Sequence, residues 1–362
     1  MWRVLPFDGP NTTTDSRIGV ARLIEIVIEN VQTAYKWKDR KFDLIIADEI
    51  HTMMTPEYSA VFKLETRWLM GLTATHDIDD KNDKDLYYEK YAPICYEYYD
   101  SADDGLINKT RFFIVNHRLN DLDQVLIKTK KDSWMKGEAE HYAYLSNNIK
   151  KGQTLMLMQG SQTWFQDAAN WFWKGQGDEK QKHAGMRYLN AIKYRKEFLQ
   201  QLNSTANLAK KIKDGILLGN QNAKVLIFSE LTAQAEKISS ITVHSHNSEK
   251  LNQRRMDEFD KGLVRELGSC QSLTLGLNLK GATHGIMESY VGSKTRSKQK
   301  KGRLDRLSAD QVADMWIIVV NDTQSEKWFV NMAEGFDLSN AVHIDSGLIL
   351  RNGFNYITNT VK

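Results

Sequence analysis

The run Leu44-Ile45-Ile46-Ala47 stops abruptly at two acids, Asp48 and Glu49, with His51 just beyond. Consecutive apolar residues bounded by charge leave no side for water, the pattern of a strand buried on both faces of a parallel sheet. Functional acids of open α/β sheets sit at the carboxyl ends of such strands, which is where Asp48 and Glu49 fall. That pair is suited to nucleotide hydrolysis: Asp48 can hold Mg²⁺ through its water shell, and Glu49 can orient and deprotonate an attacking water. Taken alone, the same run also reads as an ordinary strand followed by a solvated acidic loop. A second apolar run, Trp68-Leu69-Met70-Gly71-Leu72, ends in Thr73-Ala74-Thr75 and predicts a second strand whose end carries small hydroxyl residues.

Further along, strand and helix alternate. Lys224–Ser229, Ile241–His244, Ser272–Leu275 and Met315–Val320 read as strands, with helices over Thr232–Ser239 and Ser248–Lys261. This alternation predicts a parallel sheet with helices on both faces. Phe112–Val115 reads as the first strand of a second domain, after a turn at Ser101–Gly105. Between about residues 130 and 215 the apolar spacing is helical and strand signal is almost absent, which predicts a helical insertion. Trp164, Phe165, Trp171, Phe172 and Trp173 cluster inside it and are expected to form a small core rather than a base-stacking platform. Nearer the start, the sequence predicts a strand at Ile26–Ile28, a short helix over Gln32–Lys38 and a helix over Tyr58–Thr66 capped by Thr55.

Positive charge is most concentrated in Lys294–Arg306, where seven of thirteen residues are Lys or Arg and one is acidic. Arg303 and Arg306 are three apart and share a face if a helix forms there. Their planar forks pair phosphate oxygens bidentately. Lys294, Arg296 and Lys298 are candidates for nucleic-acid contact. A solvated loop or a nonspecific polyanion patch is the plainer reading of the run. Net charge over all 362 residues is only +3, so any nucleic-acid surface is local rather than global. Cys95 and Cys270 are far apart without metal-like spacing, which suggests a reducing compartment. No apolar run approaches membrane-spanning length and the first residues do not look like a signal peptide, so a cytoplasmic location is expected.

Together these segments resemble superfamily 2 helicases. DEIH (48–51) resembles motif II, GLTAT (71–75) motif III, Val225–Ser229 the strand of motif IV, Gly276–Leu279 motif V, and QKKGRLDR (299–306) motif VI, Q-x-x-G-R-x-x-R. The lead-in to motif V departs from the commonest version. The resemblance covers most of residues 24–120 and 185–320, and phage-type DNA helicases share its flavour most. It implies an α/β fold of two RecA-like parallel-sheet domains, residues 1–104 and 105–362, the first N-terminally truncated and the second carrying the helical insertion. It implies ATP and Mg²⁺ as cofactors and DNA as partner, with RNA the alternative; a viral chain would work in the host cell cytoplasm. Catalytic roles would fall to Asp48, Glu49, His51, Gln299, Arg303 and Arg306, with the two arginines as fingers on the transferring phosphate. Thr73, Thr75, Gly276 and Asn278 would couple nucleotide to nucleic acid.

One motif is missing. No G-x-x-x-x-G-K-[ST] precedes motif II, and fewer than fifty residues lie before it. Gly292-Ser293-Lys294-Thr295 does not substitute, since Ser stands before the Lys and the strand-loop-helix context is wrong. The expectation is therefore an ATP-dependent helicase or translocase, or the C-terminal part of a split or truncated one, its P-loop on a second polypeptide. The alternative is a non-catalytic nucleic-acid-binding or assembly subunit that reuses the fold. A metal hydrolase built on Glu49 and His51 is weak, because ligands two apart do not share a helix face.

Overall fold

The computed structural model describes residues 26–73, 84–92, 108–128, 132–161, 165–270, 279–304, 307–308 and 310–352. The chain divides into two units, Met1–Tyr98 and Tyr99–Lys362.

In the first unit, β1 (Lys41–Asp48) and β2 (Glu65–Leu72) pair in parallel, with Ile46 opposite Met70 and Asp48 opposite Leu72. α1 (Lys84–Tyr91) follows. One face of the pair is covered: Ala47, Ile50, Met54 and Tyr88 form a small core that Leu69 joins. Gly71 lies so close to Ile50 that a Cβ there would collide with its side chain. The other face is open. Leu44, Ile46, Trp68, Met70 and Leu72 all point out, with Trp68 63% exposed.

Two local readings are corrected here. Ile26–Ile28 carries no regular structure. Tyr58–Thr66 does not form a long helix and Thr55 does not cap one: its Oγ1 accepts from Tyr58 N at 3.3 Å in the preceding turn, and only a 3-10 turn over Ser59–Lys63, with Tyr58 at its N-cap, forms before β2 begins. A run this short cannot recover the cost of helix nucleation once the strand claims Glu65 and Thr66.

The second unit opens with β3 (Lys109–Arg118), then a hairpin of β4 (Gln124–Lys128) and β5 (Ser133–Gly137). Four helices come next: α2 (Glu138–Met158), α3 (Phe165–Trp171), α4 (Glu179–Leu199) and α5 (Asn203–Gly219). Alternation then begins with β6 (Val225–Ser229), α6 (Thr232–Ile238), β7 (Thr242–Val243), α7 (Glu249–Asp260) and β8 (Glu266–Cys270). It closes with β9 (His284–Met287), α8 (Lys294–Lys301), β10 (Val312–Asn321), α9 (Gln324–Ala333), β11 (Val342–Asp345) and α10 (Ser346–Asn352).

Seven strands make one parallel sheet in the order β11-β3-β10-β9-β6-β8-β7. The α/β expectation holds here. Alternate residues feed two cores: Phe112, Ile114, Phe228, Met315 and Ile317 on one face, Phe113, Val115, Ile227, Trp316 and Ile318 on the other. Val225–Ser229 is buried at every position, as a strand covered on both sides must be. Phe113 and Trp316 stack across neighbouring strands at 4.3 Å between centroids.

α2, α3 and α4 share a separate core of Ile149, Met156, Ala169, Phe172, Ala184 and Tyr188. The aromatic cluster divides: Phe172 is buried in that core, Phe165 packs against it, and Trp171 and Trp173 are exposed. Trp164 lies outside the described residues. Glu138, wholly buried at the start of α2, caps α5 by accepting from Asn203 N at 2.8 Å and Ser204 Oγ at 2.6 Å. Burial pushes its carboxyl above the usual range, against the pull of those bonds.

Candidate functional site

The first group of chemical residues lies at the carboxyl ends of β1 and β2. Asp48 is the last residue of β1 and is exposed; its Oδ1 accepts from Glu49 N at 3.0 Å. Glu49 turns the chain with φ 52°, the left-handed region that only Gly enters without strain. This turn carries the chain straight from the strand into a 3-10 turn at Ile50–Thr52. His51 is buried there, with Nδ1 2.8 Å from Thr73 Oγ1 and 3.3 Å from Glu49 Oε2. One imidazole thus touches both strand ends, linking the acid pair to the hydroxyl that follows β2. The sequence names all four residues but gives no sign that His51 joins them.

A second group lies at the carboxyl ends of β6, β8 and β9. Glu230, just past β6, is 3% exposed and pairs with the buried Lys300 at 2.9 Å, with Arg296 at 3.9 Å. Its backbone is held as well: Glu230 N donates to Ser289 Oγ at 2.9 Å, and Cys270 Sγ donates to Glu230 O at 3.2 Å. Burial pushes the Cys270 thiol up, so it stays protonated at neutral pH. Glu288, just past β9, is buried and accepts from Thr205 Oγ1 at 2.7 Å and Gln234 Nε2 at 3.3 Å. Burial raises its pKa as well, which favours the neutral acid. Sequence reading missed Glu230, Glu288 and Lys300. Position immediately after an apolar strand run was the available signal for the two acids.

The buried pair fastens α8 to the sheet. Ser293 caps the helix, accepting from Arg296 N at 3.4 Å. Arg296 and Lys298 project to solvent, Gln299 is half-buried, and Ser297 and Lys300 face inward. The helix ends at Lys301, so Arg303 sits in the following turn and not on the helix. The expectation that Arg303 and Arg306 share a helix face is corrected to that extent. Arg303 itself is buried, beside the fully buried Leu304. Arg306, Thr75, Gly276 and Asn278 lie outside the described residues, as does the side chain of Lys294.

A family model described as the helicase conserved C-terminal domain matches residues 207–308. That span runs from α5 through α8 and includes Glu230, Glu288, Gln299 and Arg303. The DNA 3'-5' translocase XPB2 of Sulfurisphaera tokodaii is 24% identical over 288 residues, 78% of this chain and 60% of that protein. The chain therefore spans less than two thirds of the curated relative it matches. Among solved structures, S. cerevisiae Dbp5 bound to RNA and ADP BeF3 superposes with a TM-score of 0.50 at 10% identity, covering 88% of this chain and 63% of that one. A substituted form in the same complex gives 0.51 at 8% identity, covering 88% and 62%. These likenesses establish the fold.

Proposed function

We propose that this chain is the catalytic C-terminal portion of a superfamily 2 ATP-dependent nucleic-acid translocase or helicase acting on DNA, of the phage type. The observation that carries the reading is the pair of strand ends joined by His51. There a strand-terminal Asp, a Glu and a Thr are held together ahead of a segment matching the helicase C-terminal domain. In this reading residues 1–104 and 105–362 are the two RecA-like domains.

Asp48 has an exposed carboxylate with only one oxygen given to Glu49 N, which fits a hydrated Mg²⁺. ATP supplies the phosphoryl group whose hydrolysis drives movement. Glu49 is the base that orients and deprotonates water, and His51 keeps it in register with Thr73. Gln299, Arg303 and Arg306 stabilise charge on the phosphates. Thr73, Thr75, Gly276 and Asn278 link nucleotide state to grip on the strand, and Lys294, Arg296 and Lys298 neutralise its phosphates.

The phosphate cradle is supplied by a polypeptide segment outside this sequence, a second chain in the simplest case. Support comes from the open face of β1 and β2, where five large apolar side chains stand exposed on a parallel pair. Parallel strands are stable when both faces are covered. The substitution Glu49→Gln tests the reading. In the complete assembly it abolishes DNA-stimulated turnover while nucleotide binding remains. Unchanged turnover, or DNA affinity indifferent to ATP, contradicts it.

A further inference from the structure

A cleft of about 410 Å³ opens at the carboxyl ends of β3, β10 and β11, on the opposite half of the sheet from Glu230 and Lys300. Its volume lies in the range of small-molecule sites, and strand carboxyl ends are where open α/β sheets bind ligands. Neither the proposed ATP chemistry nor the basic run uses it.

The lining has unspent hydrogen-bonding capacity. His117 is 2% exposed; its Nδ1 lies 3.1 Å from Ser346 Oγ, and its Nε2 has no partner among the described residues. A buried ring nitrogen without a partner is a standing cost that a ligand can remove. Burial holds the imidazole below its usual pKa, so it is neutral at pH 7, and with Nδ1 engaged by Ser346 only Nε2 is left to pair. Asn321 makes no side-chain hydrogen bond among the described residues, and Asn116 has only a long 3.5 Å contact to His343. Each amide carries a donor and an acceptor side by side. Leu350 adds a partly exposed apolar wall.

Charge does not favour an anion. Arg118 is the cation of the lining, and it pairs at 3.7 Å with Asp322 outside it; Asp345 is the carboxylate of the lining, its Oδ1 accepting from Gly347 N at 2.7 Å. Within the lining Arg118 and Asp345 balance one another, so nothing there selects for a phosphate. A neutral group with alternating donors and acceptors fits better. The residue after Asn321 is strained: Asp322 holds φ 60°, a left-handed conformation costly outside Gly.

We propose that this cleft receives one unpaired nucleobase of the bound strand, read along its edge by the amides of Asn116 and Asn321 and by His117. It deepens the translocase reading and rests on it. Amides match base edges because both present a donor beside an acceptor, and unstacked bases are recognised through those edges. The cleft would grip a single strand by a base as well as by its phosphates.

The test uses the full chain and two fluorescent single-stranded DNA probes of equal length, one with normal bases and one fully abasic. By anisotropy, the wild-type protein binds the base-bearing strand about tenfold more tightly, the size of one good amide–base pair. Asn321→Ala, with Asn116→Ser as a second variant should the first fail to fold, brings the two affinities together. A variant that keeps the wild-type ratio overturns the proposal. Equal binding of both probes by wild type overturns it and leaves the nucleic-acid reading standing. Failure to bind either probe, by the chain alone and in the complete assembly, sinks that reading. Titration with free deoxynucleosides, followed by the His117 ring proton resonances, then decides the cleft alone: a shift upholds it, and none removes it.

Discussion

The two units cover a parallel sheet to different degrees. In Tyr99–Lys362 the interior strand β6 is buried along its length, and two apolar clusters close both faces of the seven-stranded sheet. In Met1–Tyr98 a strand pair with the same apolar character has a core on one face and five exposed large side chains on the other. The segments Leu44–Ala47 and Leu226–Phe228 are chemically alike, yet only one is enclosed. What separates them is the supply of neighbours. A strand pattern states how a segment is to be buried, and the rest of the fold decides whether it is.

The sharpest way to break this comparison is to remove a side chain from each sheet. Trp316 is buried at the centre of β10 and stacked on Phe113. Trp316→Ala should cost about 3–5 kcal/mol, read as a lower unfolding midpoint in denaturant. A loss under about 1 kcal/mol would mean that the seven-stranded core is looser than its burial implies.

A middle-sized effect separates charge from packing. Asp314 accepts from Arg111 Nε at 2.8 Å and Nη2 at 3.0 Å, and lies 3.4 Å from His284. Burial raises its pKa, but the bonds from His284 and Arg111 and their charges outweigh that and leave the carboxyl below its usual range. A depressed acid stabilises the fold above its unfolded pKa of about 4 and loses that contribution as pH falls through its folded value. Asp314→Asn should therefore cost about 2 kcal/mol at pH 7 and less at pH 3, measured by thermal melting across pH. A penalty equal at both pH values would rule out the ionised pair as its source.

The smallest effect sharpens the contrast from the other side. Trp68→Ser on the open face should change the stability of the isolated chain by no more than about 0.5 kcal/mol. It should also lower binding of an apolar dye. A penalty like that of Trp316→Ala would show that the face is covered after all.

Legibility in the sequence follows the same division. Val225–Phe228 and Met315–Val320 are apolar throughout, and both lie in strands. Glu266–Cys270 escaped notice because Glu266, Gly268 and Ser269 do not look like core. Its burial comes from neighbours: a Cβ at Gly268 would press on Ser239 and Thr242, and Glu266 is satisfied by Lys213 at 2.7 Å. The strand read at Ser272–Leu275 falls outside the described residues. Ile26–Ile28 has strand composition without forming one, since composition does not provide a pairing edge. At the site, Asp48, Glu49 and His51 were legible because they interrupt an apolar run. The contact of His51 with Thr73, and the pairing of Glu230 with Lys300, join residues 22 and 70 positions apart and leave no local period to read.

The central claim is that acids at the end of β1 serve phosphoryl chemistry that needs a cradle from outside this sequence. ATP hydrolysis in the presence of DNA tests it most directly, measured for this chain alone and together with the product of the neighbouring gene. The account predicts turnover in the combined sample that Glu49→Gln removes. No turnover in either sample, or turnover that survives Glu49→Gln, contradicts it.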